Sequence, residues 1–154
     1  MRLLTLDAVS DSESQTLRFG ERLGAALRSR AVIGLTGPLG AGKTRIVQGL
    51  ARGIGYAGRV RSPSFTLLNV YRGKAPLRHL DLYRIDALDD GTAGEWEEAM
   101  EEEGFTAIEW ADRMPDLLPA EAIWLDLQPE SSGRRRIRLR LALPSPMLDV
   151  WRVG

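Results

Sequence analysis

Apolar residues recur along this chain with two periods, and each period predicts its own kind of element. Leu17, Leu23, Ala26 and Leu27 form a stripe at helical spacing. They predict a helix over 12–29, with Ser10 or Ser12 as its cap. Ala31-Val32-Ile33-Gly34-Leu35-Thr36 is a near-continuous apolar run and reads as a buried strand. Arg45-Ile46-Val47-Gln48-Gly49-Leu50-Ala51-Arg52 reads as a second helix, stopped near Gly53-Ile54-Gly55. Thr66–Tyr71 and Pro76–Tyr83 have strand character, and the turn-like Arg72-Gly73-Lys74 between them predicts an antiparallel hairpin. Phe105–Trp110 and Ala122–Gln128 are further strands, with a turn or short helix around Pro115 between them. Over 134–143, Ile137, Leu139, Leu141 and Leu143 alternate with Arg136, Arg138 and Arg140, which is strand periodicity with one basic face. Leu3, Leu4 and Leu6 predict a short edge strand within residues 1–8, and the tail from 144 to 154 is expected to pack loosely.

Composition narrows the class. A length of 154 residues is expected to make one domain, and a hydrophobic content of 44% suffices for a globular core. Lys plus Arg and Asp plus Glu both number 21, so no global field favours nucleic acid, although the basic strand face leaves a local contact open. The absence of Cys excludes disulfides and cysteine-ligated metals and fits a reducing compartment. No apolar run approaches a membrane span and the N-terminus has no signal-peptide pattern, so a cytoplasmic protein is expected. Residues 86–104 carry nine Asp or Glu with Trp96, Ala99 and Met100 at helical spacing. They read as a solvated helix face with one apolar edge, or as a face for a basic partner.

The chemistry concentrates at Gly37-Pro38-Leu39-Gly40-Ala41-Gly42-Lys43-Thr44, which fits the phosphate-loop pattern G-x-x-x-x-G-K-[ST] between a predicted strand and a predicted helix. Glycines let such a backbone turn tightly and aim its N–H groups inward, and the N-terminus of the helix, starting at Arg45, adds partial positive charge. Lys43 would reach the outer phosphates and Thr44 would help hold Mg²⁺. Only Lys43 and Lys74 are lysines, so a chain strongly biased to Arg still places a compact ammonium in the loop. Such a loop needs a carboxylate at the end of a neighbouring strand, and Asp81 and Glu109 are the two candidates. One would order the metal shell and the other water or the metal; a capping or Arg-pairing role is the alternative for each. Ser62-Pro63-Ser64-Phe65-Thr66, inside a polar loop with Arg59 and Arg61, is a candidate switch that senses a γ-phosphate, or an ordinary surface loop. His79 lies on the same strand face as Asp81 and reads as a packed, hydrogen-bonded side chain before it reads as a proton shuttle. With no N-K-x-D guanine reader, ATP is favoured over GTP.

Four motifs occur in fixed order: the loop Gly37–Thr44, then Ser62-Pro63-Ser64-Phe65-Thr66-Leu67, His79-Leu80-Asp81-Leu82-Tyr83-Arg84, and Ile108-Glu109-Trp110. Together they resemble the bacterial TsaE family, over about residues 12–140. That resemblance implies an α/β, P-loop NTPase-like three-layer fold whose central sheet is mixed, parallel strands plus an antiparallel hairpin. It implies an ATPase, weak alone, that uses ATP and Mg²⁺ and works with the transferase subunits TsaD and TsaB. The implied task is to reset that complex as it adds threonylcarbamoyl groups to the adenosine beside the anticodon, tRNA being met through the complex. Residue by residue, it assigns Lys43 and Thr44 to phosphate and Mg²⁺, Asp81 to a Walker-B-like carboxylate and Glu109 to a second metal-side carboxylate. It assigns Ser62 to Thr66 to the switch, Arg134 to the neighbourhood of the nucleotide, and Thr16 and Gly20 to the first helix's approach to it. Pro38 stands where the family often has an acidic residue, and the segment from Gly91 to Glu103 departs from the family's pattern.

Two other readings compete on the residues alone. A small-molecule kinase would use the same loop with an Arg-bearing lid, for which Arg134-Arg135-Arg136 is the only cluster. A nucleotide-gated binding module would keep the loop and lack turnover.

Overall fold

The structure is a computed structural model that describes residues 2–28, 30–63, 68–85, 90–143 and 145. Its elements run β1 (Arg2–Ser10), α1 (Glu13–Ala26), β2 (Ala31–Thr36), α2 (Lys43–Gly53), β3 (Leu68–Arg72), β4 (Pro76–Asp81), α3 (Asp90–Glu101), β5 (Phe105–Glu109), β6 (Ile123–Pro129) and β7 (Arg135–Leu143). Single 3-10 turns sit at Ala111–Arg113, Pro115–Leu117 and Ser131–Gly133. The seven strands form one sheet in the order β1-β7-β6-β2-β5-β4-β3. β2 pairs in parallel with β5 and β6, and β4 in parallel with β5. The predicted hairpin β3–β4 and the pairs β6–β7 and β1–β7 are antiparallel. The sheet is therefore mixed, and β1 is the edge strand its leucines predict, although it runs to Ser10 opposite Arg135.

The central strand β2 is buried on both faces, as a continuous apolar run requires. A Cβ on Gly34 would meet Leu118, Trp124 and Ala111 on one face, where the 3-10 turns after β5 pack. Met100 of α3 lines a cavity with Leu117 over Val32 on that face. By strand alternation Ile33 and Leu35 point to the other face, which α1 and α2 cover. Those two helices cross unusually closely. A Cβ on Gly20 would lie 2.5 Å from the Ile46 carbonyl oxygen, and one on Gly49 would lie 2.2 Å from that of Leu17. Gly24 and Gly53 extend the contact one turn further along. The helices thus meet backbone to backbone, and the start of α2 is brought against the start of α1.

Ser12 is the α1 cap, its hydroxyl accepting from the Gln15 N–H at 3.1 Å. α1 ends at Ala26, earlier than its periodicity suggests, and Lys74 in the hairpin turn donates to the carbonyls of Ala25 and Leu27. α3 buries Trp96 and Met100 and exposes most of its acidic side chains, which is the solvated-face arrangement. On β7, Ile137, Leu139 and Leu141 are buried. Two of the alternate arginines are held by acids, Arg138 by Asp7 at 2.8 Å and Arg136 by Glu130 at 3.2 Å. The arginine bond to Asp7 holds that exposed carboxyl below its usual range. No helix among the described residues is long and apolar enough to cross a membrane.

Candidate functional site

A cavity of about 460 Å³ opens where the C-terminal ends of β4 and β5 meet the start of α2. The loop that borders it needs its glycines. Gly37 and Gly42 have φ of 134° and 108°, and a Cβ on Gly37 would lie 2.2 Å from the Leu127 carbonyl oxygen. With Gly42 as its cap, α2 starts at Lys43 and directs its first free N–H groups to the cavity. Leu39, Gly40, Ala41, Gly42, Lys43, Thr44 and Arg45 all line it, as does Thr16 from α1. Gly37 and Pro38 line a second cavity, with Thr36 and Asp126. The Gly37 and Pro38 carbonyls accept from Lys43 Nζ at 2.5 and 2.9 Å.

Lys43 is buried, and its ammonium lies 3.9 Å above the centre of the Trp110 ring. Burial lowers its pKa, and the carboxylates of Glu109, Asp112, Asp81 and Asp126 oppose that shift. Trp110 reaches this position because its φ is 58°, a left-handed turn directly after β5 that is uncommon for a bulky residue. Tyr83 packs against the same ring at 4.9 Å.

The two strand-end carboxylates share the cavity and have different partners. Register places Asp81 opposite Glu109 on adjacent parallel strands. Glu109 is 3% exposed and accepts from the Thr44 hydroxyl at 2.9 Å. Asp81 accepts from the Ser62 hydroxyl at 3.0 Å and from the Tyr83 N–H at 2.9 Å. The carboxylate next to the loop threonine is therefore Glu109, while Asp81 ties the Ser62 segment to the end of β4. His79 is fully buried and its Nε2 lies 2.5 Å from Glu109 Oε2. Its Nδ1 lies 3.0 Å from the Tyr71 hydroxyl, which donates to the Arg61 carbonyl at 2.8 Å. Burial raises the Tyr71 phenol pKa, with bonds to Asn69 and Arg61 working against it, so the hydroxyl keeps its proton.

Arg134, expected in the neighbourhood of the nucleotide, stands apart from the other expected residues. It pairs with exposed Asp11 at 3.0 Å and does not line the cavity. Arg135 does, donating to the loop carbonyls of Ala41 at 3.0 Å and Gly40 at 3.4 Å. The reason is strand parity: residue 135 shares a face with buried Ile137 and Leu139, toward α2, and residue 134 precedes the strand. The β7 alternation carried that signal. Of the switch segment, Ser62 lines the cavity and Pro63 is described, while Ser64, Phe65 and Thr66 lie outside the described residues. Gly20 packs on α2 and does not line the cavity. Glu13, Gln48, Tyr83, Arg84 and Trp110 complete the lining without having been marked as site residues; Tyr83, Arg84 and Trp110 stand in the motifs that carry Asp81 and Glu109, whereas Glu13 and Gln48 converge on the cavity only after folding and leave no local pattern.

The chemistry available is that of an anion site with a cation niche beside it: helix N–H groups, the Lys43 ammonium, the Thr44 hydroxyl and the Asp81 and Glu109 carboxylates meet around one cavity. Fold and loop together make this a P-loop NTPase-like α/β protein. The family model described as "Threonylcarbamoyl adenosine biosynthesis protein TsaE" matches residues 10–137, and the chain belongs to that family. The tRNA threonylcarbamoyladenosine biosynthesis protein TsaE of Treponema pallidum (strain Nichols) is 39% identical over 129 residues, 84% of this chain and 96% of its own. The protein of the same name from Aquifex aeolicus is 34% identical over 139 residues, 88% and 96% of the two chains. The crystal structure of Bacillus subtilis YdiB superposes with a TM-score of 0.75 at 28% identity, covering 92% of this chain and 88% of that one.

Proposed function

We propose that this chain binds and hydrolyses ATP with Mg²⁺ as an accessory protein of tRNA threonylcarbamoyladenosine biosynthesis, coupling hydrolysis to turnover of a TsaD–TsaB transferase in the cytoplasm. The observation that carries the reading is the bond from Thr44 to Glu109 at the start of α2, beside Lys43 and across from Asp81. Membership of the TsaE family and the names of its relatives supply the pathway.

The donor set fits magnesium. That ion takes oxygen ligands, keeps waters, and is held by one or two carboxylates together with substrate phosphates. Thr44, Glu109 and Asp81 offer only oxygens here. Among the described residues, no group of three His, Cys, Asp or Glu side chains could hold an ion unaided. When bound, Mg²⁺ would neutralise phosphate oxygens. The chain's own residues do the rest. The α2 N–H groups and Lys43 hold the phosphates, and Thr44 and Glu109 face the metal side. Asp81 orients Ser62 and, with Glu109, orders water for in-line attack.

A kinase reading lacks support at the lid. Arg134 and Arg136 are paired with acids at the surface, and Arg135 is bound to the loop itself.

Pull-down with TsaD and TsaB, in ATP and in ADP, tests the proposal. Nucleotide-dependent association is expected, and equal or absent association in both would refute the coupling.

A further inference from the structure

His79 and Tyr71 lie outside the phosphate-binding chemistry, yet both are buried polar groups aimed at it. Register explains how they reach it. His79 stands opposite Ala107 on β5, whose small side chain leaves room for the imidazole to lean along the strand to Glu109. On the other side it stands opposite Asn69 on β3, with Tyr71 two residues along on the same face. At 2.5 Å a proton must lie between Nε2 and Oε2, because two bare acceptors would repel. The Tyr71 hydroxyl joins the imidazole to the loop backbone: its one proton goes to the Arg61 carbonyl, so its oxygen accepts from His79 Nδ1–H at 3.0 Å and from the Arg61 N–H at 3.3 Å. Asn69 Nδ2 donates to the same carbonyl at 3.0 Å. Ser62, the next residue, is bonded to Asp81.

We propose that Tyr71 and His79 are positioning residues that couple the Glu109 carboxylate to the Arg61–Ser62 backbone, so that loop and Glu109 move as one unit. The line runs from Thr44 on α2 through Glu109, His79 and Tyr71 on one face of the sheet to Arg61 in the loop. With Ser62 on Asp81, the loop segment is joined to both carboxylates, and its placement sets theirs. The consequence for turnover rests on the ATPase reading; the mechanical coupling does not.

Tyr71→Phe is the decisive variant, since it removes one oxygen and keeps the ring that packs on Tyr56 at 5.1 Å. The full chain is assayed for ATP hydrolysis with Mg²⁺. It is also followed by hydrogen–deuterium exchange over residues 59–62, with and without a non-hydrolysable ATP analogue. Tyr71→Phe should lower kcat about tenfold and leave KM within about twofold. In a Glu109→Gln background it should cost nothing further. Exchange over 59–62 should rise in Tyr71→Phe and, from the far end of the relay, in Glu109→Ala. Equal fold losses in both backgrounds would show that Tyr71 does not act through Glu109. Exchange in Glu109→Ala matching the parent protein would overturn the relay. If the parent hydrolyses no ATP, the ATPase reading falls, and the exchange arm decides the relay on its own.

Discussion

At the scale of single residues, the proposed function assigns phosphate holding and chemistry to different side chains. Lys43 is a buried ammonium supported by two loop carbonyls and an aromatic face. Lys43→Ala should weaken ATP binding about 100-fold or more, read by isothermal titration, because the α2 N–H groups alone carry only partial charge. Glu109→Gln keeps shape and should bind ATP within a few-fold of the parent while losing about 100-fold in kcat. A parallel loss of both in Glu109→Gln would mean that the carboxylate only holds the loop together. Arg135→Ala and Arg134→Ala make a matched pair of neighbours. Arg135→Ala should lower nucleotide affinity by loosening Gly40 and Ala41, whereas Arg134→Ala, which only breaks an exposed ion pair, should leave it unchanged. The reverse order in a nucleotide-binding titration would restore Arg134 to the site.

At the scale of elements, the α1–α2 crossing does most to place the loop. Two helices whose backbones touch at Gly20 and Gly49 have no room for a methyl group, so Gly49→Ala should destabilise the protein by about 2 kcal/mol or more in urea denaturation. Gly94 is the control: it lies in α3 with nothing within 4 Å of a Cβ, so Gly94→Ala should stabilise by about 0.5–1 kcal/mol. Equal effects at the two positions would mean that the helices separate without cost. The same crossing carries Thr16 to the loop, since a Cβ on Gly42 would sit 3.5 Å from the Thr16 methyl. Both lysines do related work at helix ends, Lys43 at the start of α2 and Lys74 at the end of α1. The rarity of lysine therefore marks positions where a compact ammonium meets carbonyl oxygens, only one of which faces the cavity.

At the scale of the whole molecule, the cavity lies where α1, α2, β4, β5, the start of β7 and the Ser62 loop converge. A ligand there bridges segments far apart in sequence and should stabilise the fold as a unit. ATP with Mg²⁺ at about 100 times its Kd should add about 2.7 kcal/mol to the unfolding free energy. Lys43→Ala should abolish that gain at the same concentration. Thermal unfolding with and without nucleotide measures it, and an unshifted Tm in the parent protein would argue against nucleotide binding at this site.

Much of this was legible along the chain because it rests on local physics. The glycine pattern at Gly37–Thr44 follows from backbone conformations only glycine adopts easily. The strands of the β3–β4 hairpin and the face pattern of β7 follow from side-chain alternation, and the Ser12 cap from a hydroxyl next to free N–H groups. Asp81 and Glu109 were visible as carboxylates at strand ends, without their separate partners. Which of them meets Thr44, that Arg135 and not Arg134 holds the loop, and that His79 joins Glu109 to Tyr71 were decided by strand order and register. Those features depend on which strands become neighbours and by how many residues they are offset. That is set by packing across the whole sheet, which no window of the sequence contains.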